Sequence, residues 1–149
     1  MNRVVTVKVE GLTDLQARLD RLPREIVRRI LRRALAAGAE VWKREMELRV
    51  ARLTGFLTQH IGVKITVRGD QLAGAAAVGP LKQNYPERIP KTHGRGSTIS
   101  AASVARFLEF GTRKMRALPF IRQAFEARKD EALAQFIREA KAGLDESVH

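Results

Sequence analysis

His60, His93 and His149 are the only imidazoles in the chain, and cysteine is absent. A zinc or catalytic metal site needs several such ligands at short, defined spacings. These three are scattered, so neither a metal nor a cofactor is expected. Ser97 and Ser100 have only His93 nearby, on one irregular segment, which is no recognisable setting for a nucleophile. Gly94-Arg95-Gly96 is rich in glycine but follows no strand, so it is a weak phosphate loop. Acidic residues sit beside Arg or Lys on helix faces, such as Glu25 with Arg28 and Arg29, which is ordinary helix pairing. A small basic nuclease or toxin would need clustered His, Arg, Lys or Tyr on a sheet. The strand faces offer only Lys64, Thr66 and Arg68. No catalytic function is expected.

Charge is the stronger signal. The chain has 149 residues, with 28 Lys plus Arg against 16 Asp plus Glu, for a net charge of +12. Such a field attracts polyanions and acidic protein surfaces. Arg21, Arg24, Arg28 and Arg32 step along one helix face, with Arg29 and Arg33 beside them. Arg28, Arg29, Arg32 and Arg33 are therefore the candidate partner-facing or DNA-facing residues. The plain alternative is a solvated helix face. A basic nucleic-acid-binding module is the rival class. It is handicapped by its aromatics: one Tyr, one Trp and six Phe, mostly in core stripes, leave little for base stacking.

The elements that must position these residues follow from pattern. The length fits one domain able to bury a real core. VVTVKV, from Val4 to Val9, alternates as a strand rather than a leader peptide. No apolar run approaches a membrane span. Thr13 or Asp14 can cap a short helix over about Leu15 to Leu22, which Pro23 stops. A long helix is expected over about Arg24 to Leu53. Its stripe is Ile26, Val27, Ile30, Leu31, Ala34, Leu35, Gly38, Val41, Trp42 and Met46. Thr54-Gly55 ends it. IGVKITVR, Ile61 to Arg68, alternates as a strand. Gly69-Asp70 turns the chain, and Leu72 to Gly79 returns to form a hairpin. Residues 80–100 hold three prolines and many polar groups, and read as a flexible basic loop. Ser100 or Ser103 caps a short helix through Phe110, with Gly111 as its stop. A last helix runs from about Pro119 to Leu144, leaving 145–149 to fray.

The stretch between those last two helices is the most specific in the chain. It reads Phe107-Leu108-Glu109-Phe110-Gly111-Thr112, then Arg113-Lys114-Met115-Arg116-Ala117, then Pro119-Phe120. Gly111 lets the chain reverse. Phe107, Phe110 and Phe120 are expected to anchor both arms in the core. Glu109 is placed to accept hydrogen bonds from Thr112 or nearby backbone, or to pair with Arg113 or Arg116. Pro119 opens the last helix without wasting a donor. The block serves either as a fold-defining corner or as a contact made by Arg113, Lys114, Met115 and Arg116.

This stretch resembles a family of siphophage tail components: the head–tail joining or tail-completion proteins typified by gene product ten of a lambdoid phage. Members carry an aromatic-rich stretch ending in Glu-Phe-Gly-Thr, a small basic linker often with Met, and a Pro-Phe opening to the last helix. Upstream, the N-terminal strand, Gly11-Leu12 and Thr54-Gly55-Phe56-Leu57 are similar to the family's start and its Thr-Gly-x-Leu. Arg106-Phe107-Leu108 stands where members have tyrosines. Ile121-Arg122-Gln123-Ala124 lacks the family's second proline.

The expected fold is α+β: a single domain in which a small antiparallel sheet of three or more strands packs against the long helix and the C-terminal helix. The resemblance implies a structural protein without catalysis, assembled in the host cytoplasm and located in the virion neck or tail. It implies a homo-oligomeric ring, often of six copies, that meets connector and tail-tube proteins around the DNA channel. Passive contact with that DNA is a further implication; a membrane is not. The motif residues Glu109 to Arg116, with Pro119 and Phe120, are the implied interface.

Overall fold

The computed structural model describes residues 12–51, 55–68, 73–81 and 100–148. The elements run α1 (Leu12–Leu19), α2 (Arg24–Ala51), α3 (Gly55–Thr58), β1 (Ile61–Arg68), β2 (Ala73–Pro80), α4 (Ala101–Phe110) and α5 (Phe120–Val148). This is an α+β domain built around two long helices. The expected strand at Val4–Val9, the Gly69-Asp70 turn and nearly all of the 80–100 loop lie outside the described residues.

The two long helices form the frame. α2 and α5 lie antiparallel. Ile30 lies by Gly143, Gly38 lies by Ala132, and Trp42 stacks on Phe125 with ring centroids 4.9 Å apart. A 29-residue helix is about 43 Å long at 1.5 Å per residue. Small residues set how closely the pair approaches. A Cβ on Gly38 would stand 3.0 Å from the Ala132 carbonyl oxygen.

Two apolar clusters fill the frame, one at each end. Leu15, Ile30, Ala34, Ala140 and Leu144 seat α1 on the start of α2 and the end of α5. Met46, Val50, Leu57, Ile61, Ala101, Ala105, Leu108, Phe120 and Ala124 join all the remaining helices to β1. Both long helices owe their stability to these stripes more than to propensity.

β1 and β2 pair antiparallel, with Ile61 opposite Pro80 and Arg68 opposite Ala73. A two-stranded ribbon is marginal alone, and here it rests on α2. Gly74 permits that contact, since a Cβ there would meet Leu35 Cδ1 at 2.6 Å. Directly opposed residues share a face, so Lys64, Thr66 and Arg68 line up with Ala77, Ala75 and Ala73 on the exposed side.

Sequence expectations and structure differ at several ends. α1 occupies Leu12–Leu19 rather than Leu15–Leu22. Leu22 instead sits in the turn before α2, its amide bonded to the Leu19 carbonyl. Among the described residues the sheet has two strands, and the expected further strand at Val4–Val9 lies outside them. α5 continues four residues past the expected Leu144 end. Salt bridges from Arg18 to Asp145 (3.2 Å) and from Arg33 to Glu146 (2.9 Å) hold its last turn. Among the described helices none is long and apolar enough to cross a membrane.

Candidate interface at the Glu-Phe-Gly-Thr corner

The corner begins with α4. Ser100 caps it: its Oγ accepts the Ser103 amide at 3.2 Å. That gives Ser100 a structural task in place of a nucleophilic one. Ala101, Ala105 and Leu108 form the buried side of α4. Phe107 and Phe110 therefore fall on the other side, 44% and 73% exposed. This corrects the expectation that both are core anchors. Only Phe120 of the three is buried, at 3% exposure. The cause is helical phase: once positions 101, 105 and 108 face inward, 107 and 110 point away.

α4 stops at Gly111, whose φ of +75° and ψ of 176° lie in a region that side chains essentially forbid. Space forbids one too. A Cβ there would stand 2.8 Å from the Ala117 amide nitrogen and 2.9 Å from the Met115 carbonyl oxygen. Backbone bonds then close the corner. The Gly111 amide donates to the Phe107 carbonyl (2.8 Å), the Thr112 amide to the Met115 carbonyl (2.9 Å), and the Leu118 amide to the Leu108 carbonyl (2.7 Å). Thr112 Oγ1 also accepts the Lys114 amide at 3.3 Å.

Of the roles expected for Glu109, the structure shows acceptance from backbone, with the donors on the next helix. Its Oε2 accepts the Ile121 amide at 2.9 Å and its Oε1 accepts the Arg122 amide at 3.0 Å. It does not pair with Arg113 or Arg116. The first amides of any helix lack partners inside it. Pro119, just before α5, has no side-chain oxygen to supply. Glu109 supplies that acceptor from α4, and its charge suits the positive end of the α5 dipole. The signal in the sequence was a proline at a helix start with no Ser, Thr or Asp next to it.

Arg113, Lys114, Met115 and Arg116 are carried outward by this closed corner, all exposed. Beside them lies an open groove of about 820 Å³ lined by Leu48, Arg49, Arg116, Leu118, Phe120 and Gln123 among others. Leu48 is 66% and Leu118 46% exposed. Sequence reasoning missed Leu48, which interrupts the polar face of α2 as a lone leucine.

The second candidate group divides. Arg33 is committed internally, its guanidinium bonded to Glu139 and Glu146 at 2.9 Å each. Those bonds, Glu146's first, raise its pKa further. Arg28 leans on Glu25 at 3.6 Å. Arg29 and Arg32 are exposed and, among the described residues, meet no carboxylate. A parallel tie joins the other end of the frame. Glu45 Oε2 accepts from Arg128 Nε at 3.0 Å while its Oε1 accepts from Arg49 Nε at 2.9 Å. The Arg128 hydrogen bond, helped by the nearby Arg49 charge, holds the Glu45 carboxyl below its usual range although burial opposes it.

No group of three or more His, Asp or Glu able to hold a metal occurs among the described residues. His93, Ser97 and the Gly94-Arg95-Gly96 run lie outside them. His60 is placed by backbone bonds: its amide donates to the Leu57 carbonyl and its carbonyl accepts from Leu81.

Comparison with known proteins gives one family match. Residues 13–111 match the family described as "Bacteriophage HK97-gp10, putative tail-component". The match spans α1 through Gly111, where the corner turns. No curated protein and no solved structure matches significantly.

Proposed function

From the premise that the chain belongs to the HK97-gp10-like phage tail-component family, we propose that it is a structural protein of the virion neck. It completes the tail or joins it to the head, and works as a homo-oligomeric ring without catalysis. The Glu109 cap carries this reading. It fixes a basic, partly apolar corner to the end of a long rigid helix, which is how a surface is built for docking rather than for chemistry. A closed ring needs heterologous contacts between copies. The end of the α2–α5 frame away from the corner, where α1 packs and Arg29 and Arg32 are exposed, is one surface available for them. Virions labelled with gold-conjugated antibody against this chain test the location. Label confined to the neck fits. Label on the capsid or distal tail refutes it.

One observation favours a second reading. Phe107 and Phe110 are exposed beside Arg106 and Arg113, which removes part of the handicap against nucleic-acid binding. That reading requires affinity for single-stranded or duplex DNA that falls steeply with salt. A titration of the purified chain at two salt concentrations separates the readings.

A further inference from the structure

We propose that the corner and its groove dock an acidic, apolar-tipped segment of a different virion protein, not a sister subunit and not DNA. The inference rests on the virion reading above and names the partner's chemistry. The groove is apolar where it is open: Leu48 and Leu118 form its exposed walls and Phe120 lies at its base. Its polar lining is already satisfied, since Arg49 binds Glu45 and Gln123. Arg116 is the cation left free at its edge. Arg106, Arg113, Lys114 and Arg122 are exposed on the same α4–corner–α5 segment, and none of the five meets a carboxylate within 4 Å among the described residues.

The described carboxylates of a sister subunit are poorly placed to answer that charge. Glu25, Glu40, Glu45, Glu47, Glu126, Glu131, Glu139, Asp145 and Glu146 already pair with the chain's own Lys or Arg. Glu109 is spent on α5. Among the described residues only Asp14, Asp20 and Asp130 remain, and each has Arg or Lys within a helical turn. Corner against corner would set five cations against five with no counter-charge, inside the roughly 8 Å over which salt leaves such forces unscreened. A DNA backbone would match the cations but gains nothing from Leu48 and Leu118, which an interface core buries. A segment with carboxylates around one or two large apolar side chains satisfies both features. Interfaces of that kind place the apolar anchor centrally and the charges on the rim.

The test places a photo-reactive benzoylphenylalanine at position 110 in the phage. Purified virions are then illuminated, and crosslinked peptides are identified by mass spectrometry. The expected product joins this chain to a net-acidic segment of another structural protein. Its yield should fall at least tenfold with Arg113→Glu and Arg116→Glu together, at unchanged melting temperature. A crosslink to a second copy, to DNA or to nothing overturns the inference and leaves the virion reading standing. Absence of the chain from virions overturns both.

Discussion

Glu109 reaches twelve residues along the chain to hold the amide of Ile121 at 2.9 Å, so the end of one helix defines the start of the next. The Glu-Phe-Gly-Thr block is therefore a mechanical joint first. Glu109 grips α5, Gly111 permits the reversal, and the Thr112–Met115 bridge closes the loop.

Removing that grip has a predictable cost. Glu109→Ala leaves the Ile121 and Arg122 amides to water and should destabilise the chain by about 1 kcal/mol, within the usual range for a lost cap. Glu109→Gln keeps an acceptor and should lose less. Urea unfolding of both variants measures this, and equal stability to the parent would contradict the capping role.

Gly111→Ala meets both an excluded backbone region and two backbone atoms within 3 Å. A cost of about 3 kcal/mol or more is expected, from strain plus the clash. Gly111→Asn should be nearly as damaging, because ψ of 176° lies far from the left-handed basin that asparagine tolerates. A melting temperature within a few degrees of the parent would show that the corner rearranges freely.

The Glu45–Arg128 tie makes stability depend on acid. Glu45 has its pKa lowered on folding, chiefly by the Arg128 hydrogen bond. Its contribution is therefore full above the unfolded carboxylate value of about 4.3 and is lost as pH falls through the lower folded value. Glu45→Gln should flatten the stability profile below about pH 4.3 and lower stability at neutral pH. Denaturation midpoints measured from pH 7 to pH 3 would show it, and parallel profiles would refute it.

Arg29→Glu with Arg32→Glu should leave folding intact, since neither side chain meets a carboxylate among the described residues. If the α2 arginines steer assembly, these variants fail to complement a phage lacking the gene. Arg33→Glu is expected to fail differently. It sets a carboxylate against Glu139 and Glu146, and should lower the melting temperature. Comparing thermal melts with plaque counts separates the two effects.

Much of the fold was legible from pattern. The α2 stripe, the alternation of β1, a serine cap at Ser100 or Ser103 and the Gly111 stop all follow from local rules, and their elements lie within a few residues of expectation. The exposure of Phe107 and Phe110 was not legible, because helix phase depends on which neighbours α4 meets. The amides that Glu109 caps and the internal use of Arg33 were likewise hidden. Both join residues over 10 or more positions in the chain, and no local spacing reports such pairs. The α5 end was misjudged for the same reason: Asp145 and Glu146 look like a polar tail until Arg18 and Arg33 arrive from the other end of the chain.

Electron microscopy of a lysate from a phage with an early stop codon in this gene tests the neck role most directly. The account predicts DNA-filled heads and separate, unjoined tails. Intact infectious virions would contradict it.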